Sequence, residues 1–555
     1  MFGKKNRSTD NNGMDKNKNS KNKKNNKNNN NDKNNNNDKN NNNDKNNKKN
    51  NNNKKNNNKY SNLFLSKSLE DNITLFETIF SDDEMFVTRR FQNKYLNKAK
   101  CCVMYFEGMV NNNILNENII QPVLNNNLAE EINTRNLFEE LQYKVIVSNN
   151  LKILNDLDKI VSSVTYGNTI FLLEGYDKVM LIDSKGWQTR SISEPESAKV
   201  IRGPREGFTE SITINITLIR RKIKNSDMKF KFKEIGYRTR TKTCICYIEG
   251  LALESIVNEL ERRLDNMEID AILDSGYIQE YIKDEPFSPF ETIGASERPD
   301  VIAAKLLEGR VALFVDGSPF VLTVPFVLAE AIQSNEDYYN NYIYSTINRI
   351  IRMFSTIFAI SIPSLFLAVT TYHQEMLPTQ LLLSIAASRE GVPFPTVLSI
   401  IIMLLIFDII REAGTRMPSP VGETVNIVGT LVLGQAAVEA RLVSAPVVIV
   451  TALTGILTLM NKNLIAPCMI IRFVLILLTS IMGIYGFVFG YIALIIHIMS
   501  IRSFGIPYTL GITSLRNHDG QDIWIRAPWW TMTLRPKIIG AKNLIRQSMK
   551  RSRRQ

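Results

Sequence analysis

Residues 353–370 read MFSTIFAISIPSLFLAVT, with no charged side chain among them. About 20 apolar residues, rising about 1.5 Å each, cross the hydrocarbon core of a bilayer. This run and its flanks, 349–372, are therefore expected to form a first membrane span. Pro363 lies inside it, which a membrane helix tolerates where neighbours satisfy the freed carbonyl. Similar runs follow at 397–410 (VLSIIIMLLIFDII, with Asp408 near its end) and at 447–460. The run 467–500 is too long for one crossing, and Gly483 and Gly486 midway through it are expected to mark a turn between two helices. Four spans are expected. Segments 422–440 and 447–460 are read either as a re-entrant pair or as two further crossings.

Upstream of these runs the pattern changes. The spacing of Leu69, Ile73, Phe76 and Phe80 predicts a helix over 63–91, and 99–106 reads as a strand. Helices are expected at 117–124 and 128–142. Residues 169–174 and 178–182 flank Gly175 as a hairpin, and 242–248 reads as a strand. Residues 251–264 form an amphipathic helix with Leu253, Ile256, Val257 and Leu260 on one face. Residues 311–315 and 320–324 flank Asp316-Gly317, a favoured turn dipeptide. The fold class is an α+β soluble N-terminal domain followed by an α-helical polytopic membrane domain. The expected divisions are an Asn/Lys-rich tail (1–59), a cytoplasmic α+β domain with a small helical lobe in front (60–345), the membrane domain (346–502) and a basic cytoplasmic C-terminal tail (503–555).

The chain has 555 residues and a net charge of +13. Residues 1–59 carry 17 Lys and Arg against 5 Asp, and 535–555 carry 8 Lys and Arg with no acid. The body between them is acidic, which excludes a basic nucleic-acid-binding core. The Asn-rich head has almost no apolar surface to bury and reads as disordered. The five Cys include the adjacent Cys101 and Cys102 but no C-x-x-C pair, and the three His lie far apart, so neither a disulfide framework nor a metal site is expected. No P-loop, GxGxxG, HExxH or GxSxG is present, and no enzyme or cofactor is expected. Arg202 and Arg205, on the loop RGPREGF, form a candidate anion-binding pair, set against the commoner reading of such a loop as a structural turn.

The informative membrane segment is 422–440, GETVNIVGTLVLGQAAVEA. On a helical wheel Thr424, Val428, Leu431, Gln435 and Glu439 fall within about 80° of one another, with Gly429, Ala436 and Ala440 nearly opposite. Small residues let helices approach closely, while a polar stripe is expensive in lipid and seeks water or a partner. The first set are pore-lining candidates and the second are helix-packing candidates. The alternative is a helix packed wholly within the bundle. Arg349, Arg352, Arg411, Arg416 and Arg502 flank the spans so that both termini are expected in the cytoplasm. Trp524, Trp529 and Trp530, with Arg526, read either as an interfacial anchor or as packing against the soluble domain.

Residues 407–456, FDIIREAGTRMPSPVGETVNIVGTLVLGQAAVEARLVSAPVVIVTALTGI, resemble the signature of the GerA family of spore germination proteins, A-type subunits. Residues 194–221 (EPESAKVIRGPREGFTESITINITLIRR), 298–325 (RPDVIAAKLLEGRVALFVDGSPFVLTVP) and 525–536 (IRAPWWTMTLRP) resemble the same family. The Asn/Lys head has no counterpart there. Arg441 stands where the family pattern prefers Gly, and Ser419-Pro420 replaces an apolar pair. The resemblance implies a multi-pass protein of the inner spore membrane, in contact with lipid. It implies work beside a transporter-like B subunit and a lipoprotein C subunit, as a homo-oligomeric ring that passes cations when nutrient binds. It also admits a scaffold subunit for the transporter-like partner, or a protein of the stage V sporulation AF type that assists ion or dipicolinate release. A protomer that itself carries substrate is a further alternative, disfavoured because no internal repeat is visible.

Overall fold

The computed structural model describes residues 60, 63–95, 100–125, 137–148, 150–186, 200, 202–417, 432–512, 522–535, 539, 543 and 545–546. The Asn/Lys head lies outside this set.

Among the described residues the N-terminal half contains two five-stranded antiparallel sheets. In the first, β1 (Phe86–Gln92), β2 (Lys100–Phe106), β3 (Leu151–Leu154), β4 (Thr169–Leu173) and β5 (Val179–Ile182) take the order β1-β2-β4-β5-β3. The helix expected over 63–91 stops early. α1 (Leu69–Ile79) starts at Ser68, whose side chain accepts from the Asp71 amide, and the chain breaks at Asp82, where φ is +59°. Phe86–Gln92 then pairs along the whole of β2 as a strand. The expected β4–β5 hairpin is present, and α2 (Leu157–Val164) packs on it through Ile160 and Val164. Residues 114–125 and 137–145 are helical, in part with π-helical hydrogen bonding.

The second sheet has the order β6-β7-β9-β10-β8, from β6 (Met228–Ile235), β7 (Thr241–Ile248), β8 (Gly294–Ser296), β9 (Val311–Val315) and β10 (Val321–Val324). Its helices are α3 (Ile212–Lys222), α4 (Glu254–Asp265), α5 (Ser275–Ile282) and α6 (Pro299–Glu308). α4 buries Ile256, Val257, Leu260 and Leu264 against Ile245, Leu313 and Leu322. α6 begins with Pro299, whose missing amide N–H no helical carbonyl needs, and ends at Gly309 with φ +100°. The Asp-Gly turn stands where the dipeptide placed it, with Gly317 at φ +86°. Arg220 of α3 ties the two lobes together. It pairs with the buried Asp83 at 2.5 Å and stacks over Phe106 and Phe230, one ring from each sheet.

The C-terminal part is helical: α7 (Tyr342–Thr371), α8 (Thr379–Arg389), α9 (Thr396–Arg416), α10 (432–439), α11 (Ala445–Leu459), α12 (Ile465–Met482) and α13 (Ile484–Ser500). Among the described residues two segments are long and apolar enough to cross a membrane by length and composition, Tyr342–Thr371 and Lys462–Met482. α11 and α13 are apolar but shorter, and α9 carries Asp408, Arg411, Glu412 and Arg416 in its second half. α12 and α13 form an antiparallel hairpin. Gly483 makes the turn at φ +60°, ψ −138°, whereas Gly486 lies inside α13. Gly486 is a packing glycine: its missing side chain lets α13 approach the Leu478 carbonyl, and Gly490 admits Leu475.

Contacts along α7 fix the direction of its neighbours. α7 starts beside the C-terminal segment, where Tyr342 meets Trp530, and ends where Tyr372 covers Gly483 at the far end of the hairpin. α12 runs the same way as α7: Ile360 clusters with Leu464 and Cys468, and Tyr372 donates to the Ser480 carbonyl. α11 runs back: Val447 clusters with Leu367, and Ser355 donates to the Met460 sulfur at 3.1 Å. α9 also runs back, from Leu404 beside Leu367 and Ile476 to Asp408 beside Arg472, with the Phe407 ring against Gly455 of α11. Successive helices α9 and α11 therefore point the same way. α9 ends near the start of α7, and α11 begins at the far end of the bundle, where Arg441 lies against Gly391.

Candidate functional site

α10 is the described part of the segment singled out for its two faces. Thr424, Val428, Gly429 and Leu431 lie outside the described residues. Gly434 is buried, with Val448 of α11 at van der Waals distance from where its Cβ would stand. Ala437 and Val438 pack on the cluster formed by Leu367, Ile400 and Val447. With about 100° per residue these three positions share one side of the helix. The other side is open: Gln435 and Glu439 are exposed, and the Gln435 amide donates to Glu439 at 2.8 Å across one turn. Ala436 and Ala440 are exposed beside them. Within one chain, then, α10 is held by Gly434, Ala437 and Val438, and both the polar pair and the alanine pair remain uncovered.

Between α9 and α12 lies a charge cluster that the sequence reading missed. Arg472 of α12 is fully buried and donates to Asp408 of α9, which is 7% exposed; Arg411, one turn on, lies 3.3 Å from the same carboxylate. Charges within an apolar bundle persist only when paired, and there they mark functional or strongly structural positions. The clue in the sequence was a lone Arg within the apolar run 467–500; its partner, 64 residues upstream, is a matter of tertiary packing. Arg472 keeps two further N–H groups, on Nε and Nη1, without an acceptor.

A second cluster sits at the foot of α7. Asp337 pairs with Arg349 at 3.2 Å and with Arg352, and Asp522 pairs with Arg349 at 3.1 Å and accepts from the Tyr338 hydroxyl at 2.6 Å. Arg526 is buried; it donates to the Asp337 carbonyl at 3.2 Å and stacks 5.2 Å over Trp529. Burial pushes the Asp522 carboxyl and the Tyr338 hydroxyl above their usual ranges. This knot fastens three separate pieces of chain: the turn after the second sheet, α7 and the C-terminal segment. The tryptophans both pack and remain partly open, since Trp529 meets Tyr338, Trp530 meets Tyr342, and both stay exposed.

Arg202 and Arg205 are exposed on their loop. The loop itself serves packing. The Pro204 carbonyl accepts from the buried Arg298 at 2.8 Å, and a Cβ on Gly203 would stand 2.9 Å from the Tyr339 ring. Glu206 pairs with Lys222 at 3.0 Å. Among the described residues no group of His, Cys, Asp and Glu could hold a metal ion, and the five Cys are all buried and form no disulfide.

Residues 74–538 match the family model described as Bacillus/Clostridium GerA spore germination protein. Among curated relatives, the uncharacterised membrane protein YfkQ of Bacillus subtilis (strain 168) is 40% identical over 474 residues, covering 85% of this chain and 90% of that protein. Spore germination protein KA of the same organism is 37% identical over 487 residues, covering 87% of this chain and 89% of KA. Spore germination protein B1, also from that organism, is 35% identical over 487 residues, covering 87% of this chain and 99% of B1. The solved N-terminal domain of the A subunit of the Bacillus megaterium spore germinant receptor GerK3 is 31% identical to a part that is 47% of this chain, and covers 96% of that domain with a TM-score of 0.39. With the family match spanning most of the chain, and relatives of this identity aligned over nearly their full length, the chain belongs to the GerA family of spore germination proteins.

Proposed function

We propose that this chain is the membrane subunit of a nutrient-responsive germinant receptor and that, as an oligomer, it forms or gates a cation-conducting path. The observation that carries the reading is the two-faced α10: one side is anchored to α11 by Gly434, while Gln435 and Glu439 stand uncovered with Ala436 and Ala440 beside them. A carboxylate and a carboxamide left bare within an apolar bundle call for water, and a ring of such carboxylates favours cations. The alanine edge supplies the close approach that a sister protomer needs. The directions of α9 and α11 add support: α9 ends at one end of the bundle and α11 begins at the other, which favours a further crossing over a re-entrant pair. Counted this way α7, α9, the return, α11, α12 and α13 make six crossings and leave both ends on one side, the cytoplasmic side by the placement of basic residues.

In this reading the soluble half receives the movement of a nutrient-binding partner, and the knot at Asp337 and Asp522 conveys it to α7. The bundle then turns α10 so that its polar face meets water. Val428 and Leu431 serve as the dry constriction of the resting state. The test is single-channel or liposome flux on the reconstituted receptor. Glu439→Gln is expected to lower the preference for cations over anions without loss of assembly; unchanged selectivity removes Glu439 from the path.

A further inference from the structure

The knot at the foot of α7 is unbalanced. Arg349 and Arg352 pair with two carboxylates, Asp337 and Asp522, while a third guanidinium beside them, Arg526, reaches only the backbone carbonyls of Asp337, Ala527 and Tyr338. Arg349 is 1% exposed, and its hydrogen bonds can be followed atom by atom. Nε donates to Asp337, and Nη1 donates to the Asp522 and Ile523 carbonyls and the Asp522 carboxylate. Nη2 is buried without an acceptor, as is Nε of Arg352. A desolvated cationic donor left without a partner is a costly arrangement, and one that a matching anion would relieve.

Arg349 also lines a shallow, open cleft. Its other walls are apolar, chiefly Ile332, Ile350, Met353, Ile512 and Trp524. The cleft lies along the first half of α7, where Ile343, Ile347 and Ile350 continue the exposed apolar face of the helix toward the soluble half. At the foot of α7, beside Tyr338 and Tyr342, stand the half-exposed rings of Trp529 and Trp530. Apolar walls, a buried guanidinium with an unused N–H, and aromatic rings at the end of a membrane helix together describe the surroundings of a lipid headgroup rather than of a soluble ion.

We propose that this cleft binds an anionic phospholipid. A phosphate oxygen accepts from Nη2 of Arg349 and balances the third guanidinium, and the first part of an acyl chain lies on Ile350, Met353 and Trp524. The lipid thereby braces the joint between the soluble half and α7. The inference rests on the membrane placement of α7 and not on ion conduction; its readout is binding, so it can fail while the channel reading stands, and the reverse.

The experiment uses the full chain purified in a neutral detergent. Dioctanoyl phosphatidylglycerol, dioctanoyl phosphatidylcholine and inorganic phosphate are titrated separately, with the thermal unfolding midpoint and native mass spectrometry as readouts. Phosphatidylglycerol is expected to raise the midpoint saturably and to bind at least tenfold more tightly than phosphatidylcholine, with inorganic phosphate producing no saturable shift. Met353→Trp, which fills the cleft and leaves every ion pair of the knot in place, is expected to weaken phosphatidylglycerol binding tenfold or more while the lipid-free midpoint is kept. Arg349→Lys serves as a second variant, with the same loss expected if it folds. Equal binding of the two lipids, equal binding to wild type and Met353→Trp, or an inorganic phosphate shift that matches that of phosphatidylglycerol would each overturn the proposal.

Discussion

Replacing Arg472 or Asp408 should have unequal effects, and the inequality follows from the geometry. In Arg472→Met the Asp408 carboxylate still has Arg411 3.3 Å away, so its charge is not stranded. In Asp408→Leu the guanidinium of Arg472, 0% exposed, loses the carboxylate it donates to and is left among the side chains of α9 and α12. Removing one member of a buried ion pair costs about 3–5 kcal/mol, because the remaining charge has neither water nor a partner. Arg472→Met should fall near the lower end, about 3 kcal/mol, and Asp408→Leu near the upper end, about 5 kcal/mol. The double variant deletes both charges and replaces them with apolar groups; with only the less buried Arg411 left unmatched it should lose no more than about 2 kcal/mol. The two single costs are thus far from additive, as expected for side chains in direct contact. The assay is unfolding of the full chain from lipid–detergent mixed micelles by stepwise addition of a denaturing detergent, followed by circular dichroism, for wild type, both singles and the double. Additive losses, or Arg472→Met as the costlier single, would refute the argument that Asp408 with Arg411 is a self-sufficient pair and Arg472 is not.

Further expectations concern other parts of the molecule. Burial pushes the Cys101 and Cys102 thiols up to about 12, and all five native Cys are buried, so a membrane-impermeant maleimide should leave the native chain unlabelled while Gln435→Cys and Glu439→Cys react, before or after nutrient is added. Silence at both positions in both states would exclude a wet α10 face. Gly483 turns the α12–α13 hairpin at φ +60°, where a Cβ would also press to 3.0 Å from Tyr372; Gly483→Ala should cost about 1–2 kcal/mol in the same unfolding assay. Hydrogen bonds from Arg262 and Arg263 hold the Glu259 carboxyl down at about 2 from an ordinary 4.5. A carboxyl depressed on folding adds stability above its unfolded value and loses it as pH falls toward its folded one. Glu259→Gln should therefore flatten the acid limb of the stability profile between about pH 4.5 and 2 and leave its shape above that range unchanged, as read from acid unfolding.

Much of the layout was legible before any coordinates, because it depends on local properties of the chain. Long uncharged runs place helices in the C-terminal half, Asp316-Gly317 places the β9–β10 turn, and Gly483 breaks a run too long for one helix. Each of these follows from the transfer preference of side chains or the allowed dihedrals of a few neighbouring residues. The limits of that reasoning appear at particular positions. The apolar spacing that suits a helix through Phe80 does not say where the helix stops, and Phe86–Gln92 became a strand because Lys100–Phe106 offers it a full antiparallel edge. The alternation MKFKFKEI at 228–235 carried a strand signal that charged residues masked; β7 supplies the pairing. Gly486 reads as a turn residue in the sequence and acts as a contact between two helices in the fold.

The sequence by itself determined that this protein has a polar head, a mixed α/β half and an apolar helical end, and that one segment of that end is two-faced. Only the tertiary structure decided which face is held. Gly434, Ala437 and Val438 turn inward because Val448 and the Leu367 cluster lie there, so Gln435 and Glu439 are the ones left outside. It likewise decided that Arg472 meets Asp408, and that Arg349 serves two carboxylates from distant segments yet keeps one N–H unused. The reason is the range of the forces involved. Helix and turn formation are fixed by neighbours a few residues apart, whereas a buried charge takes its partner from whatever the packed chain brings within a few ångströms.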